Sequence, residues 1–151
     1  MAKEPLSELH LAAWRAFLKA HATVVDRIDH DLAAEQRLSL SSYDVLIELY
    51  EAPDRRLRMH ELAQRVVLSR SGLTRLVDRL EAEGLLTRDR CGTDRRGAYA
   101  VITEQGVAAL RKAWPVYARG ISHYFARWLS QEEAQIFAAA FERLLQTSSD
   151  E

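Results

Sequence analysis

LSRSGLTRLVDRLEAEGLL, residues 68–86, carries two opposed faces at helical spacing. Leu73, Leu76, Val77 and Leu80 recur at intervals of three, one and three, the apolar stripe of an α-helix. The other side holds Arg70, Ser71, Thr74, Arg75 and Asp78. Ser69 is suited to cap the first turn, because its hydroxyl can accept an orphan amide. Gly84 is suited to end the helix, because glycine takes the left-handed conformation without steric cost. The first turns thus present two guanidinium groups, two hydroxyls and no large apolar side chain. That is the chemistry of a major-groove reader: Arg for guanine edges, Ser and Thr for bases or phosphates.

A solvated helix in an all-helical domain would explain the stripe and the caps. It would not explain the flanking sequence. Before this helix, Met59–Val66 reads as a short helix and Val67-Leu68 as a turn. After it, Leu85–Arg90 and Ala98–Ile102 read as strands, joined through Cys91-Gly92-Thr93-Asp94-Arg95-Arg96-Gly97, with a glycine near each end as in a hairpin tip. Leu57-Arg58 can supply a third strand. Helix, turn, helix and an arginine-tipped hairpin make a winged helix-turn-helix. In this reading Ser69, Arg70, Ser71, Thr74 and Arg75 meet DNA from the helix, and Asp94, Arg95 and Arg96 from the wing. Arg75 is placed for a base edge and Arg70 for flanking phosphates. Arg96 suits the adjacent minor groove, with Asp94 orienting an arginine.

Residues 61–106, ELAQRVVLSRSGLTRLVDRLEAEGLLTRDRCGTDRRGAYAVITEQG, resemble the DNA-binding lobe of MarR-family transcriptional regulators. The matching pieces are ELA in the first helix, LSRSxxTRLVDRLExxGLL in the second, and DRRG followed by ITEQG around the wing. Val67 departs from the glycine or polar residue often found in such a turn. The resemblance implies flanking dimerisation helices, an operator as partner and, in many members, an aromatic or phenolic effector where those helices meet the lobe.

Charge distribution points the same way. The 151 residues carry a net −1, yet residues 55–96 hold eleven Arg, no Lys and six acids, a net of +5. The remaining 109 residues have a net of −6. A basic lobe on an acidic body is an electrostatic footprint for a polyanion. The fold class expected is mainly α with a small β-wing, as one MarR-like domain over residues 1–151. Residues 41–103 form the DNA-binding lobe, and 7–37 and 104–146 are dimerisation helices.

The helices outside the lobe explain the dimer. Residues 7–37 read as a long helix with two apolar stripes, one through Leu9, Ala13, Ala16 and Ala20, another through Leu11, Trp14, Leu18 and Val25. A helix apolar on two sides is buried on two sides. Ser41 with Asp44 reads as the start of a helix over Tyr43–Glu51, with Val45, Leu46, Leu49 and Tyr50 buried. Thr103 caps a helix running to about Leu129, kinked at Pro115. Ser130 with Glu133 opens a last helix to about Gln146, whose apolar face is Ile136, Phe137, Ala140, Phe141 and Leu144. Leu9, Trp128, Ile136 and Phe141 exceed what a small winged lobe covers, so a two-fold homodimer is expected.

Other chemistry lacks its parts. No phosphate-cradling glycine loop, nucleophile elbow or paired histidines at metal spacing occur, so no enzyme, metal or cofactor is expected. No apolar run approaches the roughly twenty residues of a membrane span, and MAKEPLSELH lacks a signal core, so a cytoplasmic chain is expected. Cys91, among Arg88, Arg90, Arg95 and Arg96, offers a redox-responsive alternative, weakened by the lack of a second cysteine. A winged-helix protein-interaction module without DNA binding is the other alternative, but gives no reason for Arg70, Arg75 and Arg96 together. For a small aromatic effector the candidate contacts are His10, Trp14, Tyr43 and Tyr117, each an apolar body with a polar tip.

Overall fold

The computed structural model describes residues 5–66, 70–89 and 98–148, without the side chains of Arg70 and Ser148. The chain forms two compact units, Asp29–Tyr117 and Met1–Ile28 with Ala118–Glu151. Two long helices contribute to both: α1, Glu8–Gln36, and α5, Glu104–Tyr124. The fold is mainly helical with one three-stranded antiparallel sheet.

The unit Asp29–Tyr117 is built around leucine and valine. Between the ends of α1 and α5 the chain forms α2 (Leu40–Glu51), β1 (Arg56–Arg58), α3 (Met59–Arg65), α4 (Arg70–Ala82), β2 (Leu86–Asp89) and β3 (Tyr99–Ile102). Leu32, Val45, Leu46, Leu49, Leu62, Leu73, Val77, Leu80 and Leu86 are its largest fully buried side chains. Burying a leucine contributes roughly 1.5–3 kcal/mol, so this cluster is a large part of what holds the unit. Val107, Leu110, Ala113 and Val116 bury one face of α5.

The sheet order is β1-β3-β2. Leu57 faces Ala100, and Ala100 faces Arg88, so these three share one side of the sheet. That side is the buried one, with Leu86 and Ile102 beside them. Arg56, Arg58, Tyr99 and Asp89 fall on the other, since successive residues of a strand alternate. Tyr99 lies between two arginines, 4.3 Å from the Arg56 guanidinium and 4.8 Å from that of Arg58.

The end of α4 locks to the start of α5. Gly84 takes φ +78°, and the Leu85 amide donates to the Leu80 carbonyl at 2.9 Å, the bond that closes a Schellman cap. The Thr103 hydroxyl donates to the Gly84 carbonyl at 2.7 Å and accepts from the Gly106 amide at 3.1 Å. A Cβ on Gly106 would strike the Leu85 carbonyl oxygen and Ile102. EGLL and ITEQG are thus two halves of one joint.

Several boundaries differ from the sequence expectations. Ser39, not Ser41, caps α2: its hydroxyl accepts from the Ser42 amide at 3.0 Å. The Leu40 amide donates to Asp29 at 2.7 Å, which fixes the helix start three residues earlier than Tyr43. Tyr50 stays partly exposed, with Arg55 4.9 Å over its ring. The helix α5 runs on through Pro115 as expected, but stops at Tyr124, short of Leu129, and a 3-10 turn follows over Ala126–Trp128.

The other unit is helical: the first turns of α1, the end of α5, and α6 (Gln131–Ser148). Ser130 and Glu133 cap α6 reciprocally, amide to carboxylate at 2.8 Å and amide to hydroxyl at 3.1 Å. Phe17 meets Phe141 with ring centroids 5.3 Å apart, and Phe137 meets Phe141 at 5.6 Å. Leu9, Trp14, Trp128, Ile136, Leu144 and Leu145 stand more than half exposed. Of the apolar face of α6, Phe141 packs on Phe17 while Ile136 and Leu144 are bare in the single chain. Among the described residues no helix is long and apolar enough to cross a membrane.

Candidate nucleic-acid interface

The central helix separates its two faces as its sequence spacing requires. Leu73, Leu76, Val77 and Leu80 are buried, whereas Ser71, Thr74, Arg75 and Asp78 are exposed. Arg79, one turn beyond Arg75, is exposed as well and extends the basic surface. Spacing alone finds it once Arg75 is assigned, because i and i+4 are neighbours on a helix.

The helix is held from behind by an arginine. Arg88 of β2 reaches Asp78 at 2.5 Å and Glu81 at 3.6 Å, and its amide donates to Glu81 at 2.9 Å. Its side chain is only 16% exposed, so its charge goes to fixing α4 against the sheet. Read in sequence, Arg88 belongs with the cations around Cys91; its strand register turns it inward instead. Asp78 is correspondingly a tether of the helix.

Further ion pairs lower the free charge of the lobe. Arg55 lies 3.7 Å from Glu104, Arg56 3.8 Å from Asp89 and Arg65 3.6 Å from Glu48. All three are substantially exposed, so each contributes little to stability. They do show that a count of arginines overstates the cations open to a polyanion. The short helix α3 is held by Glu61, whose carboxylate accepts the Arg58 amide at 3.0 Å.

Ser69, the Val67-Leu68 turn and Arg90–Gly97, with Cys91, Asp94, Arg95 and Arg96, lie outside the described residues, as does the side chain of Arg70. The feet of the wing are described: Asp89 pairs with Tyr99, and Leu86 with Ile102.

Of the candidate effector contacts, Tyr43 and Tyr117 come together, ring centroids 4.8 Å apart. They line a groove of about 520 Å³ between α2 and α5 with Asp44, Glu51, Arg111 and Trp114. Burial first, then neighbouring charges, pushes both tyrosine hydroxyls above their ordinary range. Asp44 is pushed up to about 6, by burial and then by Glu48. Asp44, Glu51, Arg111 and Trp114 were missed in the sequence; the signal was Tyr-Asp at 43–44 and Tyr-Glu at 50–51, seven residues apart on one face. His10 and Trp14 belong to the other unit. There His10 meets the Ser7 hydroxyl at 2.6 Å, and Trp14 lies 6.0 Å from Phe17. Among the described residues, no group of three or more His, Cys, Asp or Glu side chains is placed to hold a metal ion.

Comparison with known proteins bears on the whole arrangement. Residues 38–97 match the model of the MarR family. The chain is 31% identical over 115 residues to the HTH-type transcriptional repressor YetL of Bacillus subtilis (strain 168), covering 74% of this chain and 68% of that protein. It is 27% identical over 139 residues to the HTH-type transcriptional regulator MhqR of the same organism, covering 92% and 93%. The crystal structure of Sco3205, a MarR family transcriptional regulator from Streptomyces coelicolor in complex with DNA, superposes with a TM-score of 0.88. It shares 28% identity and covers 97% of this chain and 91% of that one. Two-faced recognition helix, three-stranded wing and long flanking helices thus agree with family, relatives and solved fold: the chain belongs to the MarR family of winged helix-turn-helix, DNA-binding transcriptional regulators.

Proposed function

We propose that this chain is a homodimeric repressor of a pseudo-palindromic double-stranded operator, released by a small aromatic or phenolic effector. The observation that carries the DNA reading is the division of α4, with four apolar residues buried and Ser71, Thr74 and Arg75 turned outward on a helix tethered by Arg88. In this reading Arg75 reads a base edge, while Ser69, Arg70, Ser71 and Thr74 set the helix in the groove. The wing residues Asp94, Arg95 and Arg96 engage the flanking minor groove, which Arg96 enters.

The dimer reading rests on the bare apolar side chains of α1 and α6. Residues 1–151 act as one MarR-like domain, with 41–103 as the DNA lobe and 7–37 and 104–146 supplying the two-fold interface. Repression takes support from YetL, itself named a repressor. The effector site is the groove between α2 and α5, with Tyr43 and Tyr117 as contacts and His10 and Trp14 as further candidates on α1. An effector acts only by preferring the DNA-incompetent state.

Selection of bound sites from random duplex DNA tests the proposal. The expected product is an inverted repeat with half-sites about one helical turn apart. Its binding should fall steeply with salt as arginines release phosphate counterions. A single asymmetric half-site, or binding indifferent to salt, would count against it.

A further inference from the structure

The groove between α2 and α5 has a charge and an aromatic geometry that separate one ligand class from another. On α2, Tyr43 and Asp44 are followed two turns later by Tyr50 and Glu51, so two rings and two carboxylates line the α2 side of the groove. On α5, Trp114 and Tyr117 stand one turn apart with rings 77° from coplanar and centroids 6.0 Å apart. Tyr43 packs on Tyr117 behind them. The rings therefore form a corner whose open faces carry the negative part of their quadrupoles. Two carboxylates oppose the one guanidinium of Arg111, which leaves the groove net negative. Tyr50 already has a cation over its ring, Arg55, and Tyr117 packs against both Tyr43 and Trp114, so the half-exposed Trp114 is the ring most open to a ligand.

We infer that this groove selects an organic cation, an aromatic or alkylated ammonium of monocyclic size, over an aromatic carboxylate. The inference rests on the proposal that the groove is the effector site, and adds the charge of what it takes. An ammonium group over an indole or phenol face is attracted by the ring, and most strongly where water is excluded. Asp44 and Glu51 supply the counter-charge. An aromatic carboxylate would gain Arg111 alone and meet two like charges. The cavity, about 520 Å³, lies within the range of small-molecule sites.

The position of Asp44 gives binding a direction with pH. Its carboxyl is pushed up to about 6 by burial and by Glu48, so it is charged at pH 7.5 and largely neutral at pH 5. The groups around it are Tyr43, Glu48 and Glu51 on α2 and Tyr117 and Arg111 on α5, with Glu48 itself paired to Arg65 of α3. Cation binding should therefore weaken as pH falls through 6. Carboxylate binding through Arg111 should not.

Calorimetry on the full-length protein, with benzyltrimethylammonium, phenol and benzoate as probes, tests this. The expected result at pH 7.5 is a Kd for the cation roughly tenfold below that of the other two, the scale of one good cation–π contact. Asp44→Asn combined with Glu51→Gln should shrink that preference severalfold and remove its pH dependence while phenol binding stays, which also reports that the variant is folded. Arg111→Gln should leave cation binding intact or tighter. Equal affinity for phenol and the cation would overturn the inference and leave the effector site standing. So would tighter benzoate binding that Arg111→Gln abolishes. Failure of all three probes to bind would overturn both.

Discussion

The helices α4 and α6 carry similar apolar stripes and meet opposite fates. In α4, Leu80 and Val77 are wholly buried and Leu73 is 2% exposed. In α6, Ile136 is 67% and Leu145 64% exposed. Both are well-formed helices: α4 ends in the Gly84 cap and α6 opens in the reciprocal cap of Ser130 and Glu133. What differs is the partner. α4 packs within one unit against β2 and the leucine core, so its stripe is satisfied by its own chain. α6 leaves much of its stripe in water. Such a surface on a folded chain marks an association site. The lesson is that the lobe buries its own stripe, whereas the terminal helices leave theirs open to whatever the proposed homodimer would lay over it.

Mutations can break this comparison from either side. The largest effect is expected in the lobe. Leu46→Ala removes a fully buried side chain of α2 and should cost about 2–5 kcal/mol, read by urea denaturation. Leu145→Ala, of the same chemistry on α6, should cost far less in a dissociated chain. If the two were equal in the monomer, the contrast drawn here would be wrong.

Next comes association itself. Light scattering of the native protein should give twice 17.2 kDa. Ile136→Glu with Leu144→Glu should move that mass toward one chain while circular dichroism stays helical, since both positions are exposed in the single chain. A native monomer that binds DNA normally would remove the dimer from the account.

A smaller effect separates pH from packing. Asp44 has a folded pKa raised from 3.8 to about 6, so the folded state disfavours its charge. It therefore detracts from stability above pH 6, and that loss fades as pH falls from 6 toward 4. Asp44→Asn should raise Tm at pH 8 and have less effect at pH 4.5. A larger gain at acid pH would show that burial is not what shifts this group.

Much of this contrast was legible in the sequence, and the misses have physical reasons. The faces of α4, the Gly84 terminus and the Ser130–Glu133 cap follow from spacing and local hydrogen bonding, which sequence encodes directly. The cap of α2 did not, because Ser39-x-x-Ser42 and Ser41-x-x-Asp44 overlap and only the tertiary bond from Leu40 to Asp29 decides between them. The role of Arg88 was hidden by its arginine neighbours, although alternation with Leu86 already placed it inward. The α2–α5 groove needed both helices in register. Tyr43 and Tyr117 could be named separately, but Asp44, Glu51, Arg111 and Trp114 join them only through packing. The apolar face of α6 follows from spacing, and its exposed Ile136 and Leu144 are the excess apolar surface for which the sequence expects a second chain.

On the proposed reading the outward face of α4 reads sequence, and Arg75 is the residue on which that reading stands or falls. Binding of wild type and Arg75→Ala to the selected operator, with site selection repeated on the variant, measures it directly. The expected result is a loss on the order of 1–3 kcal/mol and a flattened preference at one position in each half-site, the remaining positions unchanged. Identical affinity and identical site preferences for the two proteins would contradict it, and would place base readout elsewhere than Arg75.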